Sequence, residues 1–174
     1  RSQTVTGVQT CALPILTATH DRGWAHMIYD VGTTITLEAW DNKYKPNQDW
    51  NHAWGAAPAN IIPRYLMGVR PLAPGFKRVV IMPQPGHLTY ARAKVPTIRG
   101  TIEVGFIQHP DTSLVVNVDV PANMQADVVL PKFEDEQTRL LLDGVAVPGD
   151  QLRNALRVTN IGSGKHQLIS RKGL

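Results

Sequence analysis

Glu38, Asp41 and His52 lie among Trp40, Trp50 and Trp54 within residues 38–54, and this is where the chain concentrates groups able to do chemistry. All four tryptophans fall between Trp24 and Trp54, and the 120 residues that follow contain none. Indole rings offer flat apolar faces that stack on the C–H face of a pyranose, while carboxylates, amides and imidazoles bind hydroxyls and fix orientation. A carboxylate held near a water can also take its proton as a general base. The combination is what a saccharide site is made of.

Positioning such groups requires elements on either side of them. From His20 to Tyr29 the residues Trp24, Met27 and Ile28 recur at helical spacing, with Asp21 placed to favour the positive end of the helix dipole. A second helical stretch is expected over 50–69, with Asn47 and Asp49 as cap candidates and Trp50 and Trp54 one turn apart on one face. Ala53, Gly55, Ala56, Ala57 and Ala59 would allow close approach of a neighbour, Pro58 and Pro63 must kink or restart the helix, and Gly68 ends it. Arg70 to Gly75 reads as a linker.

Beyond Phe76 the period changes to two. Short apolar segments run over 78–82, 88–95, 101–107, 114–120, 126–130, 140–142 and 156–158, separated by turn residues, which is the signature of a β-sandwich. Asp143-Gly144 predicts a hairpin turn between Leu140–Leu142 and Val145–Val147. The fold class is therefore α+β, a helical tail followed by an all-β antiparallel sandwich. Two or three helices bury too little surface to offset roughly 1–2 kcal/mol of entropy per ordered backbone residue, so the tail needs helices that lie elsewhere.

Composition narrows the function further. The net charge of +4 comes from basic residues scattered singly or in pairs, so no stripe for nucleic acid emerges. No apolar run approaches the roughly 20 residues that span a bilayer, so no membrane partner is expected. His20, His26, His87, His109 and His166 show no ligand spacing, and no metal or other cofactor is predicted. Ser113, Ser163 and Ser170 lack a nucleophile elbow, and Gly162-Ser-Gly164 precedes no helix that would make it a phosphate loop. The sole cysteine, Cys11, sits in Val5–Ile15, which resembles the translation of a sequencing adapter. Residues 1–15 are accordingly read as an artefact and the rest as a C-terminal fragment.

Several linked motifs then match in order. Gly32-Thr-Thr-Ile-Thr-Leu-Glu38-Ala-Trp40-Asp41, Asn51-His52, Pro74-Gly75-Phe76 and Met82-Pro-Gln-Pro85 resemble the C-terminal portion of bacterial α-L-rhamnosidases of the six-hairpin, glycoside hydrolase family 78-like type. The resemblance covers about 21–104 and, more loosely, the remaining strands. It implies that 16–72 are the last helices of an (α/α)6 catalytic barrel and 73–174 an accessory sandwich. It further implies Glu38 as general base of an inverting hydrolysis of terminal α-L-rhamnosides, His52 as a sugar contact, Asp41 as a further contact, and Trp40, Trp50 and Trp54 as the apolar wall. Trp40 is the foremost stacking candidate. Leu37 and Ala53 depart from the aromatic residues often found beside these motifs, which places the difference in the pocket wall.

An inverting enzyme also needs a carboxylic acid about 6.5–9.5 Å from the base. No Asp or Glu precedes Asp21, so the acid is missing and the fragment alone is expected to be inactive. Two rivals stand beside this reading: a free-standing carbohydrate-binding or interaction sandwich, and a different (α/α)6-barrel glycosidase. Against the first, the strands carry few aromatics, Phe76, Tyr90, Phe106 and Phe133.

Overall fold

The computed structural model describes residues 13–133 and 138–173; residues 1–12 of the adapter-like segment, Cys11 included, lie outside the described residues. The chain divides into two compact units, Arg1–Ile62 and Pro63–Leu174.

The first unit is mostly loop. Among the described residues it contains α1 (Leu13–Leu16), α2 (Trp24–Tyr29), a 3-10 turn at Ala53–Ala56 and α3 (Ala57–Ile61). The continuous helix expected over 50–69 is therefore broken into single turns. Pro58 fits the first turn of α3, where its missing N–H is not needed, and Pro63 falls in a π-type turn, Ile62–Leu66, whose wider spacing tolerates the lost donor. Asn47 and Asp49 cap nothing; the residue preceding the 3-10 turn is His52, without a side-chain cap bond. Likewise Asp21 does not serve α2, which starts after Gly23, but pairs with Lys43 and Tyr44. Of the expected apolar face of α2, Met27 is buried, whereas Ile28 is 53% exposed.

The second unit is built of eleven strands among the described residues. One sheet has the order β1 (Val69–Pro71), β2 (Arg78–Ile81), β6 (Gln125–Pro131), β10 (Ala155–Ile161), β9 (Asp150–Gln151). The other has the order β3 (Tyr90–Thr97), β4 (Gly100–His109), β5 (Ser113–Val120), β11 (Gly164–Arg171), β7 (Arg139–Leu142), β8 (Val145–Ala146). All pairs are antiparallel except β2 with β6. That parallel pair is pinned by Arg78, whose guanidinium reaches both oxygens of buried Asp127 at 3.1 and 3.0 Å, while Asp127 also accepts the Asn160 N–H. A buried carboxylate without such partners would be strongly destabilising.

Alternation explains the core. In β4 the residues Ile102, Val104 and Phe106 are fully buried, and in β5 Leu114, Val116, Val118 and Val120 follow the same period. Each fully buried side chain of this size contributes about 1.5–3 kcal/mol. Ser170 on β11 donates to the Pro131 carbonyl of β6 at 2.6 Å, tying one sheet to the other.

The hairpin at Asp143-Gly144 forms as expected, both residues having positive φ, 51° and 83°, which suits a type I′ turn. The segment read as a linker is different: Val69–Pro71 is an edge strand, because Pro71 needs no ladder donor at an edge. Gly68 precedes it with φ 74°, and a Cβ there would come within 2.0 Å of the Met82 carbonyl oxygen, so only glycine lets these backbones meet.

Candidate functional site

Two loop segments of the first unit carry the candidate residues and are laced together by backbone bonds. Glu38 N–H donates to the Asp49 carbonyl at 2.9 Å and His52 N–H to the Thr36 carbonyl at 2.9 Å. The Thr36 hydroxyl returns a bond to the His52 carbonyl at 2.9 Å. Residues 36–38 and 49–52 therefore run side by side, and Glu38 and His52, fourteen positions apart, arrive at one place. Gly55 permits the approach, since a Cβ on it would sit 2.8 Å from the Thr36 Cβ.

Four further groups fix the Glu38 side of this arrangement. Gln48, buried in the turn, accepts the Ala39 N–H at 2.7 Å and donates to Asn42 at 2.9 Å. Trp54 Nε1 donates to the Glu38 carbonyl at 2.7 Å. Lys45 Nζ pairs with Glu38 Oε1, and the Asp49 N–H donates to Oε2 at 3.1 Å. The Lys45 ammonium, and after it the Asp49 N–H, hold the Glu38 carboxyl below the usual carboxylate range. Glu38 is thus an ionised, oriented acceptor, with its side chain 23% exposed.

The tryptophans form a chain of edge-to-face contacts. Trp40 stands between Trp24, centroids 4.9 Å apart, and Trp54, 5.3 Å apart, and Trp54 in turn meets His52 at 6.5 Å. Trp24 also donates to the Gly55 carbonyl at 2.8 Å. Trp40 is thereby contacted on two sides, and the exposed indoles are Trp54 at 41% and Trp50 at 47%. Trp50 takes part in none of these ring contacts and lies outside any helix, so it does not share a helical face with Trp54. Leu37, expected at the pocket wall, is fully buried in the core of this unit, while Ala53 is exposed.

Asp41 is engaged on both oxygens. Its Oδ2 lies 2.8 Å from His26 Nε2 and its Oδ1 accepts the Lys43 N–H at 3.0 Å. Asp30 takes the other His26 nitrogen at 2.7 Å. Asp41 first and Asp30 second raise the His26 pKa, and the Lys43 N–H together with His26 lowers that of Asp41. Lys45, Gln48 and His26 carry no pattern in the sequence that marks them as partners of this site: Lys45 and Gln48 stand in a stretch without period, and the helical period around His26 speaks only for its apolar neighbours. Glu38, Asp49 and His52 also bring ligand atoms within 4.8 Å of one another, close enough to hold a cation, although Lys45 already supplies positive charge to Glu38.

Comparison with known proteins follows the same division of the chain. Residues 3–66 match the family described as the bacterial alpha-L-rhamnosidase 6 hairpin glycosidase domain, and residues 68–140 match the bacterial alpha-L-rhamnosidase C-terminal domain. The first match begins within the adapter-like segment. Among curated proteins, an alpha-L-rhamnosidase of Alteromonas sp. (strain LOR) is 33% identical over 62% of this chain, and one of Streptomyces avermitilis is 27% identical over 89%. The chain spans only 12% and 16% of the lengths of these relatives. The structure of alpha-L-rhamnosidase from Dictyoglumus thermophilum superposes on 92% of the chain and 19% of its own length, with TM-score 0.78 at 22% identity, a likeness of fold. The Streptomyces avermitilis alpha-L-rhamnosidase complexed with L-rhamnose gives TM-score 0.71 at 25% identity, covering 91% of this chain and 16% of that one.

Proposed function

Because this chain belongs to the bacterial α-L-rhamnosidase family, with a six-hairpin stretch running directly into a C-terminal domain, we propose that it forms part of a glycoside hydrolase acting on terminal α-L-rhamnosides. The observation that carries the reading is the lacing of 36–38 to 49–52, which brings an ionised carboxylate, an imidazole and an exposed indole to one surface.

In this reading Glu38 is the general base of an inverting hydrolysis. It takes a proton from a water whose oxygen attacks the anomeric carbon, while the glycosidic C–O bond breaks and a carboxylic acid on the far side, supplied by another part of the protein, protonates the leaving oxygen. Lys45 keeps Glu38 ionised so that it accepts rather than donates. His52 donates to a sugar hydroxyl, and Trp54 and Trp50 offer the apolar faces that suit the methyl-bearing side of a deoxysugar. Trp40 backs Trp54, and Asp41, with both oxygens engaged, holds the turn after Trp40 through His26 and Lys43. The chain by itself, lacking the acid, turns over no rhamnoside.

Substitution Glu38→Gln in the full-length protein tests the base. It should lower kcat on an aryl α-L-rhamnoside by several orders of magnitude with the circular dichroism spectrum unchanged, because the amide accepts no proton. Near-normal turnover would sink the assignment.

A further inference from the structure

The outer face of the six-stranded sheet carries a trough of about 520 Å³, lined by residues of the second unit and within the size range of ligand sites, roughly 300–1,000 Å³. Strand register sorts the side chains of this sheet face into three rows, since directly opposed residues share a face, and the trough lies over part of them. Tyr90, Ile107, Val115 and Ile169 stand opposite one another across β3, β4, β5 and β11 and form an apolar row. Arg92, Gly105, Asn117 and Gln167 form the next, largely neutral and amide-bearing. Lys94, Glu103, Asp119 and Lys165 form the third, with charge of both signs.

We propose that this trough binds an uncharged saccharide chain. The apolar row, ending in a Tyr90 ring that is 60% exposed, matches the C–H face of a pyranose, and the amide row beside it matches hydroxyls. Gln167 Nε2 donates to Asn117 Oδ1 at 3.0 Å, which aligns the two amides. Their other atoms, the Asn117 NH2 and the Gln167 carbonyl, have no protein partner among the described residues and are presented as one donor and one acceptor, the pattern a vicinal diol satisfies.

Gly105 sits at the centre of the face. Its φ is not positive, and a Cβ there would meet nothing nearer than the Ala91 carbonyl oxygen and the Arg92 side chain at 3.6 Å, an ordinary contact. Neither backbone nor packing requires glycine in the middle of this strand, where it weakens the sheet. What its missing side chain does is leave the floor open between Tyr90 and Asn117. The charges choose the ligand class: Arg92 and Lys165 in the lining, with Lys94 beside it on Glu103, offset Glu103, Asp119 and Asp143, three cations against three carboxylates. Glu103 already binds Arg92 and Lys94 at 2.6 and 2.9 Å. A balanced face neither steers nor holds a polyanion.

Titration of the whole 15N-labelled chain with cellotetraose, mannotetraose and methyl α-L-rhamnopyranoside decides the matter. At least one should produce saturable shifts centred on the Gly105, Asn117 and Gln167 amides. Gly105→Leu should abolish them, and Tyr90→Ala and Asn117→Ala, both at exposed positions where folding is not at stake, should each weaken binding about tenfold. Absence of saturable shifts on this face with all three saccharides, or binding undiminished in the Tyr90 and Asn117 variants, overturns the proposal. So does a response confined to a sulfated oligosaccharide, which would make the face an anion site. Because Glu38 lies in the other unit, failure here leaves the hydrolase reading standing, and inactivity of the Glu38 variant leaves this one standing.

Discussion

The two units solve the problem of holding polar groups in place by opposite means. In the strand-bearing unit the backbone ladder does the positioning, and rows such as Arg92, Gly105, Asn117 and Gln167 follow from register alone. In the first unit almost no ladder exists, and the placement of Glu38 depends on individual bonds from Gln48, Trp54, Lys45 and the Asp49 backbone. A ladder distributes the load over many equivalent bonds, whereas a laced loop concentrates it in a few. The loop is consequently the region where single polar side chains matter most.

Core truncation in the sheets should give the largest effect. Phe106→Ala removes a fully buried ring and should lower stability by about 3–5 kcal/mol, read as a cooperative fall in the urea midpoint reported by strand amides. A loss below about 1 kcal/mol would mean that the sheets do not share one core.

Next comes the loop. Gln48→Ala leaves the Ala39 N–H without its acceptor and should cost about 1–3 kcal/mol locally. Hydrogen exchange should accelerate at Glu38 and Ala39 while β4 and β5 stay protected; equal acceleration in both units would erase the contrast between laced loop and ladder.

The smallest effects are those of pH. His26 has a raised pKa in the folded protein, so its contribution is complete below the ordinary value of 6.5 and fades as pH rises from there through the folded value. Exchange at the Asp30 and Val31 amides, which bond to the His26 carbonyl, should quicken over that interval, and His26→Gln should remove the dependence. Glu103, lowered to about 2 first by Lys94 and then by Arg92, behaves in the opposite sense. Its contribution is present above 4.5 and is lost as pH falls from 4.5 toward 2. Since these ion pairs are exposed and screened by salt, the change across β3 and β4 should be slight and should vanish at high ionic strength.

Some elements were legible from period alone. β4 and β5 alternate so strictly that the sequence names their core faces, and Asp143-Gly144 announces its hairpin. β11 carries no such signal, although it lies between β5 and β7, because Lys165, Gln167 and Arg171 face outward and only Leu168 and Ser170 are buried. The expected helix over 50–69 failed for the converse reason: small residues at helical spacing permit a helix, but Pro58 and Pro63 and the bonds of His52 to Thr36 draw the chain into separate turns.

The sequence by itself determined the two-residue period of β4 and β5, the Asp143-Gly144 hairpin and, through linked motifs, the family to which Glu38 and His52 belong. These are properties of neighbours along the chain or of residue identity, and they survive without coordinates. Only the tertiary structure decided that Lys45 and Gln48 hold Glu38, that Asp41 turns to His26, and that three strands place Gly105, Asn117 and Gln167 in one row. Such pairings arise from loop closure and strand register, which join residues that no local spacing connects.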